Sequence, residues 1–549
     1  MDRTDFHLSR RDVMVAAAAA AAAAAVPLRP ARAAAKYTRP NVTSAAGQKM
    51  LAIYARGVEA MLKLPPDNPH NWFRNAFVHF MDCPHGNWWF YVWHRGYIGY
   101  FEQTIRTVTG EASFALPYWD WTQLPRIPNE MFDGALAPTG MAFEPYTGNL
   151  ALFSALMQPA LTTYWGTLTA GQLDQLKKRG YTSLDGIWND VIGGAMVGDP
   201  PELVGIAGNQ AFTNTCGARY LSRDNPDLDK DTAYDVSPPM VRGGLHPQEF
   251  NREQAQLSFT SAKTTSHNVP PAGRQVFSIL EGFPHNKVHN YIGGVGPLQL
   301  GPYGVMANNL SPIDPIFFLH HGNMDRLWDV WSRKQKAMGF SDRPSAADAP
   351  TFFAEPFLFF IDGSGKPITD GKAEMYFDMA VFDYDYEPGF GEDVIPQTGA
   401  TVTAGAPQVI QGAVAANIGK VVVPLAAVRS HLAAAAAERP LIVEITVARP
   451  PGVDGAREFD ILVNAPEGVT EVSADSPYYA GTFALFGAPM PGMHRHGDLA
   501  FAVPLPKTLR AFTELGAATE ATLNIRVVPS DGQTKKAPVV LKAVSVAAQ

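Results

Sequence analysis

Apolar residues recur at helical spacing between Gln48 and Leu62, where Met50, Leu51, Ile53, Tyr54, Val58, Met61 and Leu62 share one side and Pro65-Pro66 closes the run. That pattern predicts an amphipathic helix. Trp88 to Val108, Asn286 to Tyr291 and Phe317 to Trp331 read as further helices. Between Asn129 and Leu280 the periodicity weakens into short helical stretches and loops, read as the connection that builds the mouth of a site. From Pro350 to Glu387 the alternation becomes strand-like, as in Pro356-Phe357-Leu358-Phe359-Phe360-Ile361 before the Asp362-Gly363 turn. Pro388 to Arg439 is rich in Ala, Gly, Val and Pro with few charges, and reads as a linker with one alanine-rich helical turn. Leu441 to Val447, Glu458 to Val463, Tyr479 to Phe486, Leu499 to Val503 and Ala521 to Val528 then predict a small antiparallel sandwich. The expected fold class is mainly α: a helical-bundle core over residues 36–387, a linker at 388–439 and a small all-β C-terminal sandwich at 440–549.

A chain of 549 residues exceeds the usual single hydrophobic core, in keeping with more than one domain. The net charge of -8, with Lys and Arg scattered, offers no basic field, so a nucleic-acid partner is not expected. Only Cys83 and Cys216 are present, too few for a disulfide framework, and Cys216 has no metal-like neighbours and reads as structural. Residues 1–35 read as a targeting segment: Ser9-Arg10-Arg11-Asp12-Val13-Met14 has the twin-arginine form, an alanine-rich run continues to Val26, and small residues near Ala33-Ala34-Ala35 offer cleavage positions. The run is too short to span a bilayer, so no stable membrane anchor is expected. Export of an already folded protein by the twin-arginine (Tat) machinery, to a periplasm or beyond, is expected instead.

Histidine placement changes the picture most. His79, His85 and His94 form one group, and His285, His289 and His321 a second some two hundred residues later. In His285-Asn-Lys-Val-His289 the i, i+4 spacing puts both imidazoles on one helix face. Two groups of three neutral imidazoles, with neither thiolate nor carboxylate among them, suit two copper ions and dioxygen chemistry. Asp325, one turn after His321, is a candidate to accept a hydrogen bond from a ligand ring.

Two segments carry a family resemblance. The run from His85 to Glu102, through Trp88-Trp89, His94-Arg95 and Phe101, resembles the first copper signature of tyrosinases and polyphenol oxidases, and Asp314-Pro-Ile-Phe-Phe-Leu-His320-His321-Gly-Asn-Met-Asp325 resembles the second. Leu64-Pro-Pro-Asp-Asn-Pro, Phe114-Ala-Leu-Pro-Tyr-Trp-Asp-Trp, Pro284-His-Asn-Lys-Val-His and Tyr384-Asp-Tyr386 are similar to the plant-type polyphenol oxidases. The resemblance implies a helical-bundle binuclear copper core in which His79, His85 and His94 hold the first ion and His285, His289 and His321 the second, with His70 as the substitute for His79 and His320 lying behind the ligands without holding metal. It implies a thioether between Cys83 and His85, with a buried free thiol as the alternative, and an Arg39 contact to Tyr384 and Tyr386 at the end of the oxidase core.

The activity implied is oxidation of small phenols by O2, with o-hydroxylation of monophenols and conversion of catechols to o-quinones. Glu281 and Asn286 resemble the water-holding pair linked in this family to monophenol activity; Glu281 also suits a helix N-terminus. A catechol or o-aminophenol oxidase without monophenolase activity is the alternative, and the polar stretch Met306-Ala-Asn308-Asn309-Leu310 leaves bulky phenols and o-aminophenols as substrates. A hemocyanin-like O2-binding protein uses the same six-histidine set, but an export signal and a shield argue for an enzyme. The C-terminal sandwich resembles the shielding domain of latent polyphenol oxidases, which makes an activating protease an expected partner. Within it, Met490, Met493, His494 and His496 offer thioether and imidazole groups for cuprous ion, in a copper-handling role or with a copper donor, against a plain surface loop.

Overall fold

The structure, a computed structural model, describes residues 35–144, 146, 150–192, 195–197, 202–204, 219–271, 273–298, 303–396, 408–433, 440–448, 457–469, 472–487, 497–505, 520–530 and 539–548. The targeting segment up to residue 34, Cys216, and Met490, Met493, His494 and His496 lie outside the described residues.

Strand β1 (Tyr37–Arg39) opens the core, followed by helix α1 (Ala45–Lys63), which realises the predicted amphipathic run. Ser44 caps it by accepting from the Gly47 N–H at 3.0 Å. Helix α2 (Trp72–Asp82) was not foreseen, because ten of its eleven residues are buried and no polar face remains to set a period. Its start is fixed by Asn71, whose Oδ1 accepts from the N–H groups of Phe73 and Arg74 at 3.0 and 3.2 Å. Helix α3 (Phe90–Thr109) stops at Gly110, which takes a left-handed φ of 71°. After short helices that include α4 (Ala170–Arg179) and α5 (Lys230–Asp235), strand β2 (Gln275–Phe277) leads to a π-helical turn over Glu281–His285 and then to α6 (Asn286–Ile292). Pro284 inside that turn has no N–H for the α-helical ladder, which accounts for the wider local winding. Helix α7 (Ile316–Met338) and strand β3 (Tyr384–Tyr386) complete the core, with β3 parallel to β1 in the register Tyr37↔Tyr384 and Arg39↔Tyr386.

Two expected elements are corrected. Pro356 to Ile361 forms no strand; only the isolated bridges Pro356↔Lys372 and Ile361↔Pro367 close this turn. Phe357, Phe359 and Phe360 are all buried among the helices, so the apolar run records burial rather than pairing, and Pro356 and Pro367 withhold ladder donors. The linker is shorter than 388–439, because strands β4 (Gln408–Gln411), β5 (Ala413–Ala415) and β6 (Ile418–Pro424) and the helix Leu425–Ala433 fall within it. Val421 and Val423 are buried with the exposed Val422 between them, the period-two pattern of a half-buried strand.

The remaining strands of the C-terminal region are β7 (Ile442–Val447), β8 (Glu458–Val463), β9 (Tyr479–Ala484), β10 (Leu499–Pro504), β11 (Glu520–Pro529) and β12 (Leu541–Ala548). One sheet runs β9-β8-β11-β6-β5 and the other β2-β10-β7-β12-β4. Strand β2 comes from the helical part of the chain and pairs in parallel with β10, so the helical region and the C-terminal strands share a sheet. Phe277 of β2 stacks on Phe501 of β10 at 4.9 Å. Beside this seam Lys287 of α6 forms a buried ion pair with Glu458 of β8 at 2.6 Å.

Candidate metal centre

The first three histidines come from unlike supports. His79 lies on α2, His94 in the first turns of α3, and His85 on the connector between those helices, which turns at Gly86 with φ of 65°. A Cβ at Gly86 would stand 2.1 Å from the Gln275 side chain, so this position requires glycine twice over. His285 ends the π turn, His289 lies on α6 and His321 on α7. Ring centroids lie 5.2 to 5.7 Å apart within the first group and 4.5 to 5.4 Å within the second. The groups face each other: His94 stacks on His321 at 4.1 Å, and His85 stands 5.8 Å from His285.

Hydrogen bonds fix which nitrogen is free. Nδ1 of His79, His94 and His289 meets the carbonyl of Asn309, Phe90 and Met306 at 2.8, 2.7 and 2.8 Å, and His285 Nδ1 meets Asn286 Oδ1 at 2.9 Å. Each of these oxygens only accepts, so each Nδ1 carries the proton and leaves Nε2 with its lone pair. Nε2 of His79 and of His285 is buried with no partner. Burial holds His79 and His285 down to about 3, and pushes His85, His94, His289 and His321 well below the ordinary imidazole value, with the neighbouring rings adding to the effect. All six rings are therefore neutral at pH 7. The candidate ligand atoms within each cluster lie within 4.8 Å of one another, and orphaned lone pairs on neutral imidazoles fit a copper ion in each.

His320 also reaches the second cluster. Trp121 Nε1, which can only donate, approaches His320 Nδ1 at 3.1 Å, so neutral His320 carries its proton on Nε2 and has no lone pair to offer there. His70 is remote from the clusters' hydrogen bonds, its Nε2 meeting the Asp362 carbonyl at 2.9 Å. Cys83 lies inside the first cluster, its Sγ 3.5 Å from His85 Nε2 and 3.3 Å from His94 Nε2, and burial raises its thiol well above the usual range.

Asp325 does not accept from a ligand ring. Its carboxylate is taken by Arg95 Nε at 2.7 Å, Arg39 Nη1 at 3.3 Å, Tyr386 OH at 2.6 Å and the Tyr384 hydroxyl. Two buried guanidiniums attract it more strongly than a neutral imidazole N–H. Arg39 also pairs with Glu102 at 2.7 Å, donates to Tyr386 OH at 2.9 Å and lies 3.6 Å over the Tyr384 ring, so this charged cluster ties the chain entry to the end of the core.

Glu281 is buried, with Oε1 accepting from the Gly86 N–H at 2.5 Å and Oε2 from the Ser261 hydroxyl. Burial pushes its carboxyl up to about 7 against those two donors. Asn286 donates from Nδ2 to the Ala484 carbonyl at 2.8 Å. Sequence reasoning missed Phe486, just beyond β9, whose ring lies 4.4 Å from His289, 4.7 Å from His85 and 5.7 Å from His285. A single aromatic before a glycine carries no signal of that role. It also missed Phe317, 4.1 Å from His321, although its place in Asp314-Pro-Ile-Phe317 made it readable.

A helical core that brings two imidazole triads face to face, one of them with Cys83 beside it, has the donor set of a binuclear metal oxidoreductase. Residues 67–334 match the family model for the common central domain of tyrosinase, and the chain belongs to the tyrosinase and polyphenol oxidase family of copper oxidoreductases. It is 22% identical over 536 residues to a tyrosinase from Hahella sp. (strain CCB-MM4), covering 88% of this chain and 93% of that one. With the chloroplastic polyphenol oxidase A1 of Vicia faba it shares 21% identity over 356 residues, 62% of this chain but only 46% of that protein's length. Its fold is similar to that of a latent aurone synthase (polyphenol oxidase), with a TM-score of 0.52 at 18% identity over 94% of this chain and 91% of that one. Among the described residues no helix is long and apolar enough to cross a membrane.

Proposed function

We propose that the protein oxidises phenols with O2, hydroxylating monophenols and converting catechols to o-quinones, at two copper ions held by His79, His85 and His94 and by His285, His289 and His321. The observation that carries this reading is the convergence of two neutral, buried imidazole triads beneath an aromatic ring, that of Phe486. Copper bound there supplies electron transfer to dioxygen. The chain's own part is to hold each ring by its Nδ1 hydrogen bond, exclude water and accept the phenol proton. Glu281, raised to about 7, is poised for that last task near neutral pH. The Trp121 bond to His320 supports His321 as the ligand of the adjacent pair. The nearness of Cys83 to His85 supports a thioether between them.

Catechol or o-aminophenol oxidation without hydroxylation is favoured by one observation: both Glu281 oxygens already accept from groups of the core itself, the Gly86 N–H and the Ser261 hydroxyl. The Phe486 ring, 4.4 Å from His289 and 4.7 Å from His85, supports reading the C-terminal domain as a shield whose displacement, by a protease or otherwise, activates the enzyme. Twin-arginine export delivers the folded precursor, and Met490, Met493, His494 and His496 handle copper during loading.

The test is an aerobic assay of the copper-loaded full chain and its Phe486→Ala variant on a monophenol, a catechol and an o-aminophenol. The variant is expected to turn over at least the catechol faster than the parent. No oxidation of any of the three by either protein, at full copper content, would remove the reading. Replacing the two Met and two His together is expected to lower copper content from a limiting supply; unchanged loading would exclude the handling role.

A further inference from the structure

We propose that this centre acts on a phenolic residue carried by an extended peptide, recognised through its main chain by side chains of the helical core; the proposal rests on the phenol-oxidising reading above. It comes from the way β9 is held. Strand β9 is the edge of its sheet, with the Leu485 N–H donating to the Arg457 carbonyl, just before the neighbouring strand β8, at 2.8 Å. Thr482 and Ala484 therefore direct their main-chain groups to the open side. Such an edge is ordinarily satisfied by another strand or by water. Here side chains of the core line it instead.

Asp235 accepts from the Thr482 N–H, at 3.3 Å to each carboxylate oxygen. Asn286 Nδ2 donates to the Ala484 carbonyl at 2.8 Å, and Asn290 Nδ2 to the Leu485 carbonyl at 3.4 Å. The next residue, Phe486, puts its ring 4.4 Å from His289. The chain then turns at Gly487 with φ of 70°, where a Cβ would stand 3.0 Å from Asn309 Oδ1. The core thus offers an acceptor for the N–H four residues before an aromatic side chain, donors for the carbonyls two and one before it, and a close fit immediately after, where the backbone takes a left-handed turn. Asp235, Asn286 and Asn290 are at most 1% exposed. Once β9 moves away, these buried groups need new partners. A free phenol supplies none of them, whereas a peptide in the same extended path supplies all.

The chemistry is balanced by dioxygen alone. With a tyrosine, one oxygen atom replaces the ring hydrogen ortho to the hydroxyl, and the other leaves as water with that hydrogen and the hydroxyl proton, so phenol and O2 give o-quinone and H2O. With a catechol residue, two molecules lose two electrons and two protons each, and one O2 becomes two waters.

The experiment compares kcat/KM of the copper-loaded, full-length protein for acetyl-Gly-Thr-Phe-Ala-Leu-Tyr-Gly-amide and for N-acetyltyrosine amide, and for the same pair bearing 3,4-dihydroxyphenylalanine. Both members of a pair await the same opening of the shield, so their ratio is independent of latency. The peptide is expected to lead by about tenfold or more, mostly through KM, since each net hydrogen bond is worth roughly two- to tenfold in affinity. Valine in place of the final glycine is expected to erase most of that lead. A ratio of one or below, with the amides oxidised, would overturn the proposal and leave phenol oxidation standing. If neither the amides nor catechol itself is oxidised, the underlying reading fails and this one falls with it.

Discussion

His285, His289 and His321 owe their positions to helical geometry, whereas His85 stands on a connector, Cys83 to Trp89, that has no helical ladder of its own. Four long-range bonds hold that connector: Arg179 of α4 to the Cys83 carbonyl at 2.8 Å, the Gly86 N–H to Glu281 at 2.5 Å, Asn87 Nδ2 to the His267 carbonyl at 3.2 Å and the Trp88 N–H to the Ala262 carbonyl at 2.9 Å. Behind it His267 lies between Asp82 and Glu355, at 2.9 and 2.6 Å. The second triad is thus placed by local winding throughout, whereas the first has one member, His85, placed by groups remote in sequence. Substitutions far from the histidines should disturb the first triad selectively.

The largest effect is expected within the second triad, where His289→Ala removes a ring that no neighbour replaces. Phenol oxidation is expected to vanish and copper content to fall toward about one ion per chain, since a site short of one of its few ligands binds metal poorly. The paired variant His320→Ala should retain most of its copper, because that ring's proton sits on Nε2. Equal copper loss in both would show that His320 is a ligand. Next comes His267→Leu, which leaves Asp82 and Glu355 buried without their cation and is expected to cost about 3–5 kcal/mol in thermal unfolding. The two carboxylates hold the His267 imidazolium against burial, with a pKa raised to about 9. Because the folded value is the higher, its contribution is complete below the ordinary imidazole range and is lost as pH rises through about 9. The wild type should therefore lose stability across that alkaline window, and His267→Leu should lose less.

The same contrast decides what the sequence made legible. The spacing of His285 and His289 reports a helix face directly, and the predicted helices containing His94 and His321 are present with shifted ends. Helix α2, which carries His79, was hidden because burial on every side erases periodicity, so its histidine was legible as part of a histidine cluster but not as a position on a helix. The clamps on His85 come from positions 179, 262, 267 and 281, pairings that no local pattern encodes. Phe486 was invisible for the same reason: its meaning depends on β9 packing against α6. Val421 and Val423 show the opposite failure, a legible alternation passed over because low charge and many small residues made the stretch look like a linker.

A smaller and more selective effect is expected at Glu281, which belongs to the connector's clamps and also faces the proposed chemistry. Its carboxyl, raised to about 7, is increasingly ionised as pH rises through that value, so monophenol hydroxylation should climb over the same interval if this group takes the phenol proton. Catechol oxidation should lack that limb. Glu281→Gln keeps an oxygen for the Gly86 N–H but no longer titrates; it should abolish the pH limb while sparing copper content. A hydroxylation profile unchanged in Glu281→Gln would leave this residue only its clamp.

The smallest effect is expected at Asn87, whose Oδ1 accepts from the Trp89 N–H at 3.0 Å while Nδ2 reaches the His267 carbonyl. Asn87→Ala removes both bonds but no charge, so the loss of stability should be about 1–2 kcal/mol. What makes it informative is where the loss falls. If the connector is held from outside, the copper next to His85 should leave first in a chelator titration, with the ion on the helical triad retained. Simultaneous release of both ions would mean that the two triads share one support, and the distinction between a clamped loop and a self-ordered helix would not describe how this centre is held.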